Sequence, residues 1–262
     1  MELDVASQSL RAYDQLVKDL PMTNLLGEFF GTMMLITFGA GVVACVLLKD
    51  SKGNGGGWIV ITAGWAFGVI LGVFTAVALG APQADLNPAV TLAKTMLGTY
   101  TVAQAIPTML AETAGAFAGG VIVWLAYLPH WAPTEDPGLK LAVFCTGPAI
   151  RSYAQNFLCE VIGTFMLIFA IFAIFHKNNG ALPAGFGPYL VGILVWALGL
   201  SLGGPTGYAI NPARDLGPRI AHAVLPIAGK GSSDWAYAWV PVCAPMVGGV
   251  LAYVVGKAVG LI

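Results

Sequence analysis

Six stretches of this chain, near residues 22–48, 58–80, 102–128, 153–175, 185–203 and 236–259, stay apolar over the length a helix needs to cross a lipid core. A hydrocarbon layer of about 30 Å takes roughly 20 residues at about 1.5 Å each, and backbone in lipid must satisfy its own hydrogen bonds. That leaves helices. Composition agrees, since 57% of the 262 residues are apolar, 10% are charged and the mean hydropathy is +0.79. The breaks, from Lys49 to Asn54, Pro129 to Pro137, His176 to Gly180 and Gly229 to Asp234, read as solvent loops. Residues 1–21 include Glu2, Asp4, Arg11, Asp14, Lys18 and Asp19 and lack an apolar h-region, so they read as a surface segment and not as a cleavable signal.

Two further stretches, about 87–98 and 211–222, are too short to span, and each opens on the same triplet: Asn87-Pro88-Ala89 and Asn211-Pro212-Ala213. Asn is a favoured N-cap and Pro a favoured first helical residue, so each triplet writes a helix start. Both stretches read as re-entrant half-helices.

The triplet is one of several echoes. Glu28-Phe29-Phe30-Gly31-Thr32 returns as Glu160-Val161-Ile162-Gly163-Thr164, and Gly119-Gly120-Val121 as Gly248-Gly249-Val250, all at an offset of about 130 residues. The chain is therefore a duplication, with a first repeat over 22–128 and a second over 153–259 inside one domain, 22–262. Three spans per repeat is odd, so the second repeat enters the bilayer inverted and any shared site lies near the midplane. The fold class expected is an all-α membrane protein with six transmembrane helices and two half-helices.

Inversion makes the two helix starts meet at mid-bilayer with their positive dipole ends facing. Non-helical backbone survives at that depth only when packed in protein or lining water, so the meeting point implies an aqueous pore. The Asn87 and Asn211 amides would donate to a passing oxygen, while carbonyls of Gln83 to Leu86 and Thr206 to Ile210 would accept. A neutral hydroxyl-bearing molecule can be handed along such a stripe; a cation meets two positive ends.

Other functions find little support. Lys+Arg of 12 against Asp+Glu of 13 gives no basic field for nucleic acid. No nucleophile and base, metal cluster or cofactor loop is suitably spaced, so neither an enzyme nor a cofactor or metal protein is expected. Cys45, Cys159 and Cys243 lie in apolar runs and Cys145 in a connecting segment; they read as small buried hydrophobes.

The doubled triplet, the Glu-x-x-Gly-Thr openings and the run from Gly207 through Asn211, Arg214 and Asp215 resemble the aquaporin superfamily, and within it the glycerol facilitators. The resemblance implies a passive channel for glycerol and water that excludes ions and protons. Urea, dihydroxyacetone, hydrogen peroxide and protonated lactic acid are further candidate solutes. It implies a homotetramer in the cell membrane with cytoplasmic termini. It places Arg214 at the narrowest point with Trp65, Gly199 and Tyr208, where Gly199 leaves room for the aromatic at 208. Glu28 and Glu160 would accept hydrogen bonds from the half-helix loops, and Asp215 would shape the second half-helix by meeting its dipole.

The chain also departs from that pattern. Asp85 stands where relatives usually carry His two residues before the first Asn, with Lys94 a candidate partner; Tyr208 replaces the commoner Phe. Glu112 stands where many relatives have Gln, facing a subunit contact or a neighbouring helix. Trp65 to Asn87 is about two residues longer than usual. Cationic loop residues divide evenly between the two faces, so charge is silent on orientation. A proton-coupled transporter using Glu28, Asp85, Glu112 and Glu160 is the alternative reading.

Overall fold

A computed structural model describes residues 21–262, so the expected N-terminal segment lies outside the described residues except for Pro21. The described chain is all helical. In order it forms α1 (Pro21–Leu47), α2 (Trp58–Ala78), α3 (Pro88–Met96), α4 (Val102–Ala126), α5 (Pro137–Phe144), α6 (Tyr153–Ile174), α7 (Phe186–Leu202), α8 (Pro212–Val224) and α9 (Trp235–Ala258). α1, α2, α4, α6 and α9 are long and apolar enough to cross a membrane. α7, with 17 residues, reaches about 26 Å, at the short end of what a bilayer accepts.

The sequence reading had not separated α5 from the loops around it. Asp136 accepts from the Gly138 amide at 2.7 Å and Pro137 takes the first turn, which starts an eight-residue helix. Its inner side buries Lys140, Val143 and Phe144.

Duplication shows in the packing. α1 lies against α2 and α4 as α6 lies against α7 and α9, while α4 also packs on α8 and α9 on α3, so each half holds the other's half-helix. Without a hydrophobic drive between helices in lipid, close approach depends on small residues. The repeated Gly-Gly pairs are where it occurs. A Cβ on Gly119 would stand 2.7 Å from the Met33 carbonyl of α1, and one on Gly248 2.6 Å from the Val161 carbonyl of α6. On the next residues, Gly120 faces Ala221 of α8 and Gly249 the Ala89 carbonyl of α3. Each pair is thus wedged between a spanning helix and the half-helix of the opposite repeat.

Thr23 near the start of α1 touches Gly80, and Gly260 to Ile262 share a cavity with Gln83, Lys94 and His176. Both ends of the described chain therefore lie on one face. Outward-facing apolar side chains such as Phe30, Phe67, Leu110, Leu158 and Leu251 are exposed, as a lipid-facing surface requires. Burial of the cysteines holds for Cys145; Cys45 and Cys159 are half-buried, and Cys243 is exposed on α9, where a thiol faces outwards as readily as any small apolar group.

Candidate pore

Two short segments lead into the half-helices, and both carry strained backbone. Ala84 (φ 43°), Leu86 (φ 52°), Tyr208 (φ 38°) and Ile210 (φ 43°) sit in the left-handed region at equivalent places of the two repeats. Each costs about 1–2 kcal/mol for an L-residue, so something must hold them. Two buried glutamates do. Glu28 accepts from the amides of Asp85 (2.9 Å) and Leu86 (2.8 Å), one to each oxygen, and Glu160 accepts from Ala209 (2.9 Å) and Ile210 (2.8 Å).

The consequence is geometric. A trans peptide puts its carbonyl opposite its N–H, so carbonyls of Ala84, Asp85, Tyr208 and Ala209 point away from the carboxylates. On that side lies a cavity of about 280 Å³ whose wall includes residues 83–87 and 208–211. A carbonyl ladder results.

At the centre the two Asn residues cross over. Asn87 Oδ1 caps α3 at the Ala89 amide (2.9 Å) while its Nδ2 donates to the Ile210 carbonyl (2.8 Å). Asn211 Oδ1 caps α8 at Ala213 (3.0 Å) and Arg214 (3.1 Å) while its Nδ2 donates to the Leu86 carbonyl (2.7 Å). Each amide has spent its acceptor and one N–H, leaving one N–H for the cavity that both line. Pro88 and Pro212 occupy the first helical positions, where the missing N–H leaves no gap, and Ala89 and Ala213 are buried behind them.

Arg214, Trp65, Tyr208 and Gly199 also come together. The Arg214 guanidinium lies 3.9 Å over the Trp65 ring, and its Nη1 donates to the Phe144 carbonyl at 3.3 Å. It has no carboxylate partner among the described residues. A Cβ on Gly199 would stand 2.8 Å from Tyr208 Cζ, so the tyrosine occupies the space the glycine leaves. The sequence reading missed Trp58, which donates to the Gly199 carbonyl (2.9 Å) and meets the Tyr208 ring edge-on.

Asp215 is held by more than a helix dipole. It accepts from the Thr146 amide (2.8 Å) and hydroxyl (2.7 Å) and from Arg219 Nε (2.8 Å), an ion pair buried on both sides. Arg219 also donates to the carbonyls of Thr146 and Ser233. This network fixes the loop that carries the Phe144 carbonyl, and through it Arg214. Arg219 was legible as a charge four residues after Asp215 in an apolar chain; the Phe144 carbonyl leaves no sequence signal.

At the mouth nearest the chain ends, Asp85 pairs with Lys94 and accepts from the Thr91 hydroxyl at 2.9 Å. Lys94 also donates to the Gln83 carbonyl (2.9 Å). Glu112 is fully buried and faces α3 through Thr91 at 2.8 Å, which settles between its two expected places in favour of a neighbouring helix.

Oppositely inserted halves whose half-helices abut on a polar-striped cavity define a membrane channel of the aquaporin fold. The chain belongs to the major intrinsic protein family, whose description matches residues 16–255. It is similar to glycerol uptake facilitator protein 3 of Lactiplantibacillus plantarum, 54% identical over 236 residues that cover 90% of this chain and 96% of that one. The probable glycerol uptake facilitator protein of Thermotoga maritima is 52% identical over 230 residues, 88% of this chain and 96% of the other. The solved aquaglyceroporin of Plasmodium falciparum aligns with a TM-score of 0.81 at 27% identity, over 92% of this chain and 97% of that one.

Proposed function

We propose that the chain is a passive channel for glycerol, with water permeating too, and that it carries out no catalysis. The observation that carries this reading is the crossed pair of Asn amides, each with one N–H left for a cavity whose wall is otherwise mainly backbone carbonyls and apolar side chains, with Arg214 in the filter and Asp85 and Lys94 at one mouth. A polyol fits such a stripe, with hydroxyls on the carbonyls and amides and its carbon edge on the opposite wall. Trp65 and Tyr208 supply an apolar corner and Arg214 faces the hydroxyls, so these residues with Gly199 form the selectivity filter. Cations are disfavoured, because two helix N-termini and Arg214 repel them.

Glu28, Glu160 and Asp215 support the pore without touching solute. The first two, which a coupled transporter would need as proton carriers, have both oxygens committed to backbone amides and lie off the cavity wall. The similar proteins named as glycerol facilitators support glycerol as the main solute. Urea, dihydroxyacetone, hydrogen peroxide and protonated lactic acid are further candidates of suitable size. We place one pore in each subunit of a homotetramer in the cell membrane, with 1–21 cytoplasmic and 22–262 forming one channel domain.

Stopped-flow light scattering on proteoliposomes tests the reading. Glycerol and water fluxes follow their gradients, rise linearly with concentration and ignore an imposed proton gradient. Counterflow, or glycerol uptake driven by the proton gradient, refutes it.

A further inference from the structure

Beneath the start of α3, Glu28 and Glu112, behind the cavity wall, and Asp85, in it, bring carboxylate oxygens within 4.8 Å of one another, all three buried. Few charged groups face them. Lys94 of α3 is paired with Asp85, and the Tyr100 hydroxyl, on the segment before α4, is directed at the cluster. Tyr100 is 9% exposed, and its hydroxyl faces Asp85 without closing a well-formed hydrogen bond among the described residues. The other helices packed on α3 and α4 turn their charges elsewhere: Asp215 and Arg219 of α8 bind each other, and Lys257 of α9 lies over Tyr253.

Counting hydrogens locates a proton here. Both oxygens of Glu28 accept backbone amides, and Asp85 is balanced by Lys94, so each is satisfied as a carboxylate. The Thr91 hydroxyl stands 2.9 Å from Asp85 Oδ2 and 2.8 Å from Glu112 Oε1, yet a hydroxyl has one hydrogen to give. One of those contacts closes only if the carboxyl itself donates. Among the described residues Glu112 has no cation beside it, and its second oxygen closes no hydrogen bond, although the Asn87 backbone amide is turned towards the carboxyl.

We propose that Glu112 is a proton-binding site: its carboxyl carries a proton and donates to Thr91, which donates to Asp85, which in turn holds Lys94 at the mouth of the cavity. Three ionised carboxylates with one ammonium would leave a surplus of two charges in a buried site, and the proton removes one of them. A divalent cation suits the place less well, because the Glu28 oxygens are committed and an ammonium already stands on Asp85. Among these groups Asp85 and Lys94 line the cavity while Glu28, Thr91 and Glu112 do not, so the proton is held beside the permeation path and does not travel along it.

Infrared spectra of the full chain in lipid test the assignment without reference to flux. At neutral pH the parent is expected to show the C=O stretching band of a buried protonated carboxyl. Glu112→Gln should abolish that band while keeping glycerol flux within about twofold of the parent, because the amide N–H replaces the carboxyl O–H as donor to Thr91. Thr91→Val should shift the band without removing it, which decides the matter should Glu112→Gln fail to assemble. A spectrum unchanged in both variants, or a band that survives Glu112→Gln and vanishes in Asp85→Asn, overturns the proposal.

Discussion

Gly199→Ala adds one methyl carbon where Tyr208 and Thr62 leave no room for it, in what we propose is the filter. That carbon would lie 2.8 Å from Tyr208 Cζ, 2.9 Å from its Oη and 2.8 Å from Thr62 Cγ2. Carbon pairs rest at about 3.5–4.0 Å, so the tyrosine ring must give by about 1 Å. Thr62 is buried and Trp58 meets the ring edge-on, tied by its own Nε1 to the Gly199 carbonyl. The ring therefore moves towards Arg214 and Trp65, into the lumen. Overpacking of this kind costs about 1–3 kcal/mol, and each 1.36 kcal/mol that appears in a permeation barrier is about tenfold in rate. Glycerol, which fills the lumen, feels that cost; water, which is narrower, feels a fraction of it. Stopped-flow light scattering on proteoliposomes should show glycerol permeability falling by roughly tenfold, with water permeability changing less than about twofold. Gly199→His should do the same more severely. Equal loss of both solutes, or no loss of either, would refute the reasoning, because it would mean that Tyr208 does not set the lumen's width.

Glu160→Gln replaces one acceptor oxygen with an N–H that faces a backbone N–H, so the left-handed pair Tyr208 and Ile210 loses half its restraint; thermal stability in detergent should fall by about 2–3 kcal/mol equivalent, with glycerol flux falling alongside. Asp215→Asn leaves the buried Arg219 without its counter-ion and frees the loop before Arg214. Breaking such a pair costs about 3–5 kcal/mol, read as poor yield of folded protein and a filter leaky to methylammonium. Lys230→Met removes a cation that donates to the carbonyls of His222, Ala223 and Leu225 at the end of α8; the midpoint of thermal unfolding should drop by roughly 2–8 °C with glycerol flux unchanged.

Much of this pore was legible because its parts obey local rules. Asn before Pro writes a helix start wherever it occurs, and the two caps form as that rule requires. An acid in an apolar span must find donors, and Glu28 and Glu160 find them in the loops beside the half-helices. Lys94 was a nameable partner for Asp85 because few cations lie nearby in the chain. The eight residues of α5 were harder to see, since a short capped helix between spans has no period long enough to register. The Phe144 carbonyl that receives Arg214 was out of reach, as was the Thr91 hydroxyl that joins Asp85 to Glu112.

What the chain's order of residues determined is the inventory and its symmetry: spans of bilayer length, two half-helices, and an odd number of crossings per repeat that forces inversion. Those follow from length, hydropathy and capping, which act within a few residues. Only the folded molecule decided which atoms share a buried proton, how far Tyr208 leans into the space of Gly199, and which carbonyl steadies Arg214. Each of these is a contact across helices far apart in sequence, fixed by close packing to fractions of an ångström, and no local rule carries that information.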